Sequence, residues 1–290
     1  RLGLYLIAFD GTANYEDERT NVFLLHELYD NEAGKHYIRG IGNRKDYSTG
    51  VARDVICARG WTIGGKVDEG LRVLEDEISR KPQVACSVDA VGFSRGAITA
   101  VKFAKKLEAK VKAKDGVFRL VPNVRFLGLF DPVPGGKVTR YEKMTPFVKQ
   151  ASIAYSITES RLHFSPTYYY GENVTSLFFW GGHSDIGGGY KDRGLANITL
   201  NWMIGEGIRA GAPFSWAPQG WEERKLNGFT RKAIRHQEFK AKAESLKWIG
   251  IEIEADYPMG HREFPEGAHS HPSVDKYNPS GVLPSLPLTF

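Results

Sequence analysis

The run Gly92-Phe93-Ser94-Arg95-Gly96 constrains the fold of this chain more than any other feature. Residues 87–91 before it read as a short strand, and residues 97–112 after it as an amphipathic helix. A serine between two glycines at such a joint fits the G-x-S-x-G elbow. The chain reverses so sharply there that the residues two positions away must lack side chains, and the serine is held in a strained conformation with its hydroxyl presented. The plain alternative is a glycine-rich turn with an incidental serine.

An elbow of this kind needs a layered fold around it, and the rest of the chain supplies the elements. Residues 4–9 are a continuous apolar run, as expected of a buried strand, and residues 123–130 and 174–180 read as further strands. Residues 37–41 suggest a short strand. Residues 20–29, 67–80 and 198–210 carry helical patterning, while 211–290 is rich in proline, tryptophan and charge and yields no firm element. Strands alternating with helices imply a mostly parallel central sheet with helices on both faces. With 290 residues and no repeats, the expectation is a single α/β catalytic domain across 1–290.

Bulk properties exclude several classes. No apolar run approaches the ~18 residues that cross a bilayer, and the N-terminus enters a strand with no signal-peptide pattern. A soluble protein is expected. The two cysteines, Cys57 and Cys86, exclude a disulfide scaffold and have no metal-ligand spacing. Net charge is +5, with basic residues crowded at 102–114 and 224–247. Glutamates are interspersed in both stretches, so they read as solvated helix faces rather than a nucleic-acid surface. No cofactor is expected.

In a parallel sheet the reactive groups gather at the carboxyl ends of the strands. Four expected strand ends carry polar residues: Asp10, Ser94, Asp131 and His183. A nucleophilic serine needs a base, and the base needs an orienting acid. In the α/β-hydrolase fold these follow in the order Ser, Asp or Glu, His, which Ser94, Asp131 and His183 obey. Asp131 could instead be a turn aspartate before Pro132, and His183 a buried turn histidine. His269 and His271 are the rival bases late in the chain. The oxyanion hole is expected from the backbone amide of Arg95 and one from Gly11 or Thr12, with Asp10 bracing that turn.

Several separated motifs resemble one known group of α/β-hydrolases. They are Phe9-Asp10-Gly11-Thr12 with Asn14 and Thr20-Asn21-Val22, Gly40-Ile41-Gly42, and Gly92-Phe93-Ser94-Arg95-Gly96-Ala97. Further along stand Phe130-Asp131-Pro132-Val133, the stretch 154–164 with Glu159, Arg161 and Phe164, and His183-Ser184-Asp185-Ile186-Gly187-Gly188-Gly189-Tyr190. His271-Pro272-Ser273-Val274 and Tyr277-Asn278-Pro279 complete the set. The group is the type VI secretion lipase effectors and their bacterial and fungal relatives known as a domain of unknown function. Asn43 stands where that family commonly has threonine, and Pro132 replaces a threonine. The resemblance implies a triad at Ser94, Asp131 and His183. It also implies acyl lipid or phospholipid substrates, peripheral membrane contact, and an immunity or secretion-apparatus protein as partner.

Rival readings rest on single features. Asp10-Gly11-Thr12 matches half of a haloacid-dehalogenase phosphatase motif, but Ala8 stands where the nucleophilic aspartate would be. His183, Asp185 and Asp192 could be imagined around a metal, although their glycines suit a tight turn better. A binding module that kept the fold without the chemistry is a third reading. Among esterases, a soluble carboxylesterase acting on small esters is the alternative to a lipase. The interval 135–172 bears on that choice. It holds Tyr141, Met144, Phe147, Tyr155, Phe164 and Tyr168-Tyr169-Tyr170, and is expected either to cap the site and bind acyl chains or to be ordinary core.

Overall fold

The computed structural model describes residues 2–30, 33–43, 63–80, 85–159, 161, 163–216, 262, 265, 268 and 269. His271, Cys57, the basic stretch 224–247 and the motifs at 271–279 lie outside these residues.

The strands are β1 (Gly3–Phe9), β2 (Gly34–Ile38), β3 (Cys86–Phe93), β4 (Val124–Phe130), β5 (Arg140–Lys143), β6 (Val148–Ser156), β7 (Thr167–Tyr170) and β8 (Val174–Phe179). The helices are α1 (Asn21–Leu28), α2 (Ile63–Arg80), α3 (Arg95–Lys112), α4 (His183–Gly187) and α5 (Gly194–Arg209). Six strands form one sheet in the order β2-β1-β3-β4-β6-β8. Every pair in it is parallel. This is the α/β-hydrolase arrangement expected from the elbow.

Both faces of the sheet are covered, so its inner strands are apolar on both sides rather than alternating. One face presents Tyr5, Ile7, Phe9, Val88, Ala90, Leu127 and Leu129 to α2 and α3. The other presents Leu6, Ala8, Val91, Phe93, Phe126 and Phe130 to α1 and α5. Helix α1 starts where Thr20 Oγ1 accepts the Phe23 amide at 3.3 Å, an N-cap that ends the preceding loop. The lysines of α3 make surface pairs, Lys110 with Asp115 and Lys112 with Glu108, both at 2.6 Å. That stretch is a solvated helix face, as expected. Cys86 is a free, buried thiol in β3.

The interval 135–172 needs correction, because it contains a strand of the main sheet. Strand β6 lies between β4 and β8. Its polar positions, Gln150 and Ser152, concealed it in the sequence; they bond Glu206 of α5 at 3.2 and 3.1 Å. The flanking pieces of the interval form the small parallel pair β5–β7. Tyr155 and Tyr168 belong to the core, with rings 5.0 Å apart.

Chain direction changes at β1. The chain moves from β1 to β2 on one side, then crosses to β3 on the other. The crevice beyond the ends of β1 and β3 is such a switch point, the usual place for a ligand site in an open parallel sheet.

Candidate active site

Local geometry at the elbow follows from its two glycines. A Cβ on Gly92 would stand 2.5 Å from the Gly96 carbonyl oxygen, and one on Gly96 would stand 2.2 Å from that of Phe9. Strand β3 therefore reverses into α3 with backbone packed on backbone. The cost falls on Ser94, which takes φ 59° and ψ −126°. A non-glycine residue is held there only because its surroundings over-determine it.

The turn brings the three expected residues together. His183 Nε2 lies 2.8 Å from Ser94 Oγ, and His183 Nδ1 lies 2.6 Å from Asp131 Oδ2. All three side chains are buried. Ser94 follows β3, Asp131 follows β4, and His183 opens α4 just after β8. The Asp131 amide donates to Ala154 O of β6 at 2.8 Å, and its carboxylate accepts the Ser156 amide at 3.0 Å. His183 is packed between the rings of Phe93, at 4.7 Å, and Phe164, at 4.9 Å.

Electrostatics suit a neutral imidazole beside a charged carboxylate. Burial pushes the His183 pKa below its usual value, against the opposing pull of Asp131. Burial alone would raise Asp131, but the Arg262 guanidinium and the His183 hydrogen bond outweigh it and hold the carboxyl well below the usual range. Arg262 reaches Asp131 with both terminal nitrogens, at 2.6 and 2.9 Å. Burial also raises Glu159, yet Arg161 holds it down to about 2. Glu159 accepts the His183 backbone amide at 3.0 Å.

The glycine-rich segment after His183 explains itself in structural terms. The Gly182 amide donates to Asp185 Oδ2 at 3.0 Å, which caps α4. A Cβ on Gly187 would lie 2.2 Å from the Phe93 ring. Asp185 is thus a capping residue, and both ring nitrogens of His183 are engaged. No group of three metal-ligating side chains occurs among the described residues. The His269 carbonyl accepts the Phe178 amide at 3.0 Å, and among the described residues its Nδ1 has no hydrogen-bond partner.

The oxyanion donors need one adjustment. The Arg95 amide opens α3, where helix amides lack an intrahelical acceptor and the dipole is positive. The Gly11 amide, however, donates to Asp10 Oδ1 at 2.7 Å and is occupied. Asp10 turns its carboxylate back over its own loop, where it also accepts from Thr20 Oγ1 at 2.6 Å and from Tyr37. Among the described residues the Thr12 amide has no acceptor, and Thr12 Oγ1 is buried without a partner. Of the two donors expected from this loop, Thr12 is the one left available.

Residues 101–206 match the family model of the type VI secretion phospholipase effector Tle1-like catalytic domain. The resemblance read from the sequence holds. No curated protein matches this chain. Among solved structures, an uncharacterized protein from Pseudomonas aeruginosa is 18% identical with a TM-score of 0.52, over 78% of this chain and 49% of that one. At that identity the likeness shows a shared fold. The Tle1 effector bound to the VgrG spike of a type 6 secretion system is 22% identical with a TM-score of 0.46, over 66% of this chain and 52% of that one. A protein from Xanthomonas campestris pv. campestris, assigned to the α/β hydrolase superfamily, is 16% identical with a TM-score of 0.36, over 63% and 89%. The chain spans about half the length of the first two. No helix among the described residues is long and apolar enough to cross a membrane.

Arg262 carries no signal in the sequence, and Glu159, Arg161 and Phe164 show there only as a motif. Nothing local marks Arg262, which lies 131 residues beyond the aspartate it holds.

Proposed function

We propose that the chain is a serine hydrolase that cleaves carboxylic ester bonds of phospholipids or other acyl lipids. One observation carries this reading: an unbroken run of hydrogen bonds from Asp131 through His183 to a strained elbow serine. Ser94 Oγ attacks the acyl carbon as His183 Nε2 takes its proton. The carbonyl oxygen becomes an oxyanion, which the amides of Arg95 and Thr12 receive. His183 then returns the proton to the departing alcohol, leaving an acyl group on Ser94. Water, deprotonated by the same imidazole, releases the acid. Asp131 keeps Nδ1 protonated, so that Nε2 is the basic nitrogen throughout.

A lipid substrate is supported by the surface of the chain that runs away from the site toward the opposite edge of the sheet. Arg95 Nε donates to Pro134 O at 3.2 Å, and Gly136 pairs with Phe164. The chain leaving this point is unusually apolar for a surface: Val138, Tyr141 and Tyr170 are 69%, 56% and 56% exposed. Lys137, Arg140 and Lys143 are exposed among them. Exposed aromatics interleaved with cations suit the interface of an anionic bilayer. The match to the phospholipase effector model extends the proposal to an exported effector with a secretion-apparatus or immunity protein as partner.

The test is hydrolysis of a series running from short nitrophenyl esters to phospholipid vesicles. Turnover should be higher on vesicles containing anionic lipid than on soluble short esters. Turnover confined to short esters would replace the lipase with a soluble carboxylesterase. No turnover of any ester by folded protein would overturn the hydrolase reading.

A further inference from the structure

The Asp131 carboxylate receives more donors than orienting a histidine requires. Oδ2 faces His183 Nδ1 at 2.6 Å and Arg262 at 2.9 Å, while Oδ1 faces the Ser156 amide at 3.0 Å and Arg262 at 2.6 Å. The same guanidinium donates to two backbone carbonyls, Ser156 O at 3.0 Å and Phe164 O at 2.8 Å. Each terminal nitrogen therefore serves two acceptors, and the side chains of both Arg262 and Asp131 are buried. The guanidinium ties together the ends of β4 and β6 and the residue whose ring packs on His183.

We propose that Arg262 is a positioning residue for the reaction, fixing the Asp131 carboxylate toward His183 and offsetting its charge beside the imidazole. This rests on the triad reading given above. A bidentate fork sets the plane of a carboxylate as well as its place, which a lysine, a point charge on a flexible stem, cannot do. The offset charge matters as much as the geometry. An unpaired carboxylate would make His183 more basic and leave it protonated at higher pH, where it could not take the serine proton. The other charges facing His183 are Glu159 and Arg161, which form their own pair at 2.8 Å. Arg262 completes a second such pair, so two neutral ion pairs enclose the imidazole.

The experiment compares Arg262→Gln and Arg262→Lys with wild type in the pH profile of kcat/KM on a nitrophenyl ester. Fluorophosphonate labelling of Ser94 is followed in parallel. In Arg262→Gln, the acid limb should move to higher pH by about 0.5–1 unit, and kcat should fall about 10- to 100-fold as the relay loosens. In Arg262→Lys, the limb should stay where it is in wild type while kcat still falls. An unmoved limb in Arg262→Gln overturns the charge role whatever happens to kcat, since a merely structural staple would not shift it. If Arg262→Gln does not fold, Arg262→Lys decides, because wild-type kcat there contradicts the need for the fork. Failure of the fluorophosphonate to label Ser94 in wild type refutes the triad reading itself. Labelled wild type with an unmoved limb refutes only the role of Arg262.

Discussion

Glu159 accepts the backbone amide of His183 at 3.0 Å while its carboxylate holds the Arg161 guanidinium at 2.8 and 2.9 Å. Arg161 in turn lies over the Phe164 ring, 3.5 Å from its centroid, and that ring packs edge-on against His183. The backbone and the ring of the histidine are thus held through one ion pair.

Glu159→Gln keeps the shape of that support and removes its charge. Arg161 is then an uncompensated cation beside His183, which lowers the imidazole further. The acid limb of kcat/KM should move to lower pH, opposite in direction to the Arg262→Gln shift. Breaking a pair this buried should also cost about 3 kcal/mol in urea unfolding. A limb that moves upward would contradict the electrostatic account of Glu159.

Backbone strain at Ser94 makes a prediction independent of catalysis. Alanine normally outranks glycine in stability, because it restricts the unfolded chain by about 0.4–1 kcal/mol. At φ 59° and ψ −126° the order should reverse. Strain of about 1–3 kcal/mol is relieved only by glycine. Both Ser94→Gly and Ser94→Ala should lose about 10⁴-fold or more in kcat, and Ser94→Gly should be the more stable of the two in thermal unfolding. If Ser94→Ala melts higher than Ser94→Gly, the elbow is not strained.

Asp10 supplies a pH signature of the loop beside the elbow. Burial pushes its carboxyl up to about 6, although Thr20, Tyr37, Gly11 and Asn14 all donate to it. The folded pKa lies above the unfolded value, so stability from this group is present below about pH 4 and is lost as pH rises through 6. Asp10→Asn has no such loss. In urea unfolding the variant should gain on wild type as pH rises from about 4 to 7. A stability difference that stays constant over that range would show that Asp10 titrates normally.

Where the fold and site could be read in the sequence, the physical reason is local. Strand β1 is a compact apolar run, β3, β4 and β8 each close on apolar residues before a turn signal, and Gly92 and Gly96 are forced by backbone contacts two residues from Ser94. Strand β6 was hidden because Gln150 and Ser152 answer Glu206, a partner more than fifty residues away in sequence. Strand β2 lies at the sheet edge with half-buried side chains, and it begins three residues earlier than its apolar pattern suggested. His183 is legible as a strand-end residue, yet it opens a helix because Asp185 caps the Gly182 amide. That the Gly11 amide is taken up by Asp10 depends on where the Asp10 carboxylate turns, which sequence spacing does not encode.

In the proposed mechanism Ser94 is activated by a neutral His183. Mass spectrometry after fluorophosphonate treatment tests it most directly, applied to wild type, Ser94→Ala and His183→Ala between pH 5 and 8, roughly the span in which histidine titrates. The account predicts one adduct, on Ser94 of the wild type, formed more slowly as pH falls and His183 becomes protonated below its usual value. Both variants should remain unlabelled. Folded wild type that takes up no label, or His183→Ala that labels at the wild-type rate, would contradict it.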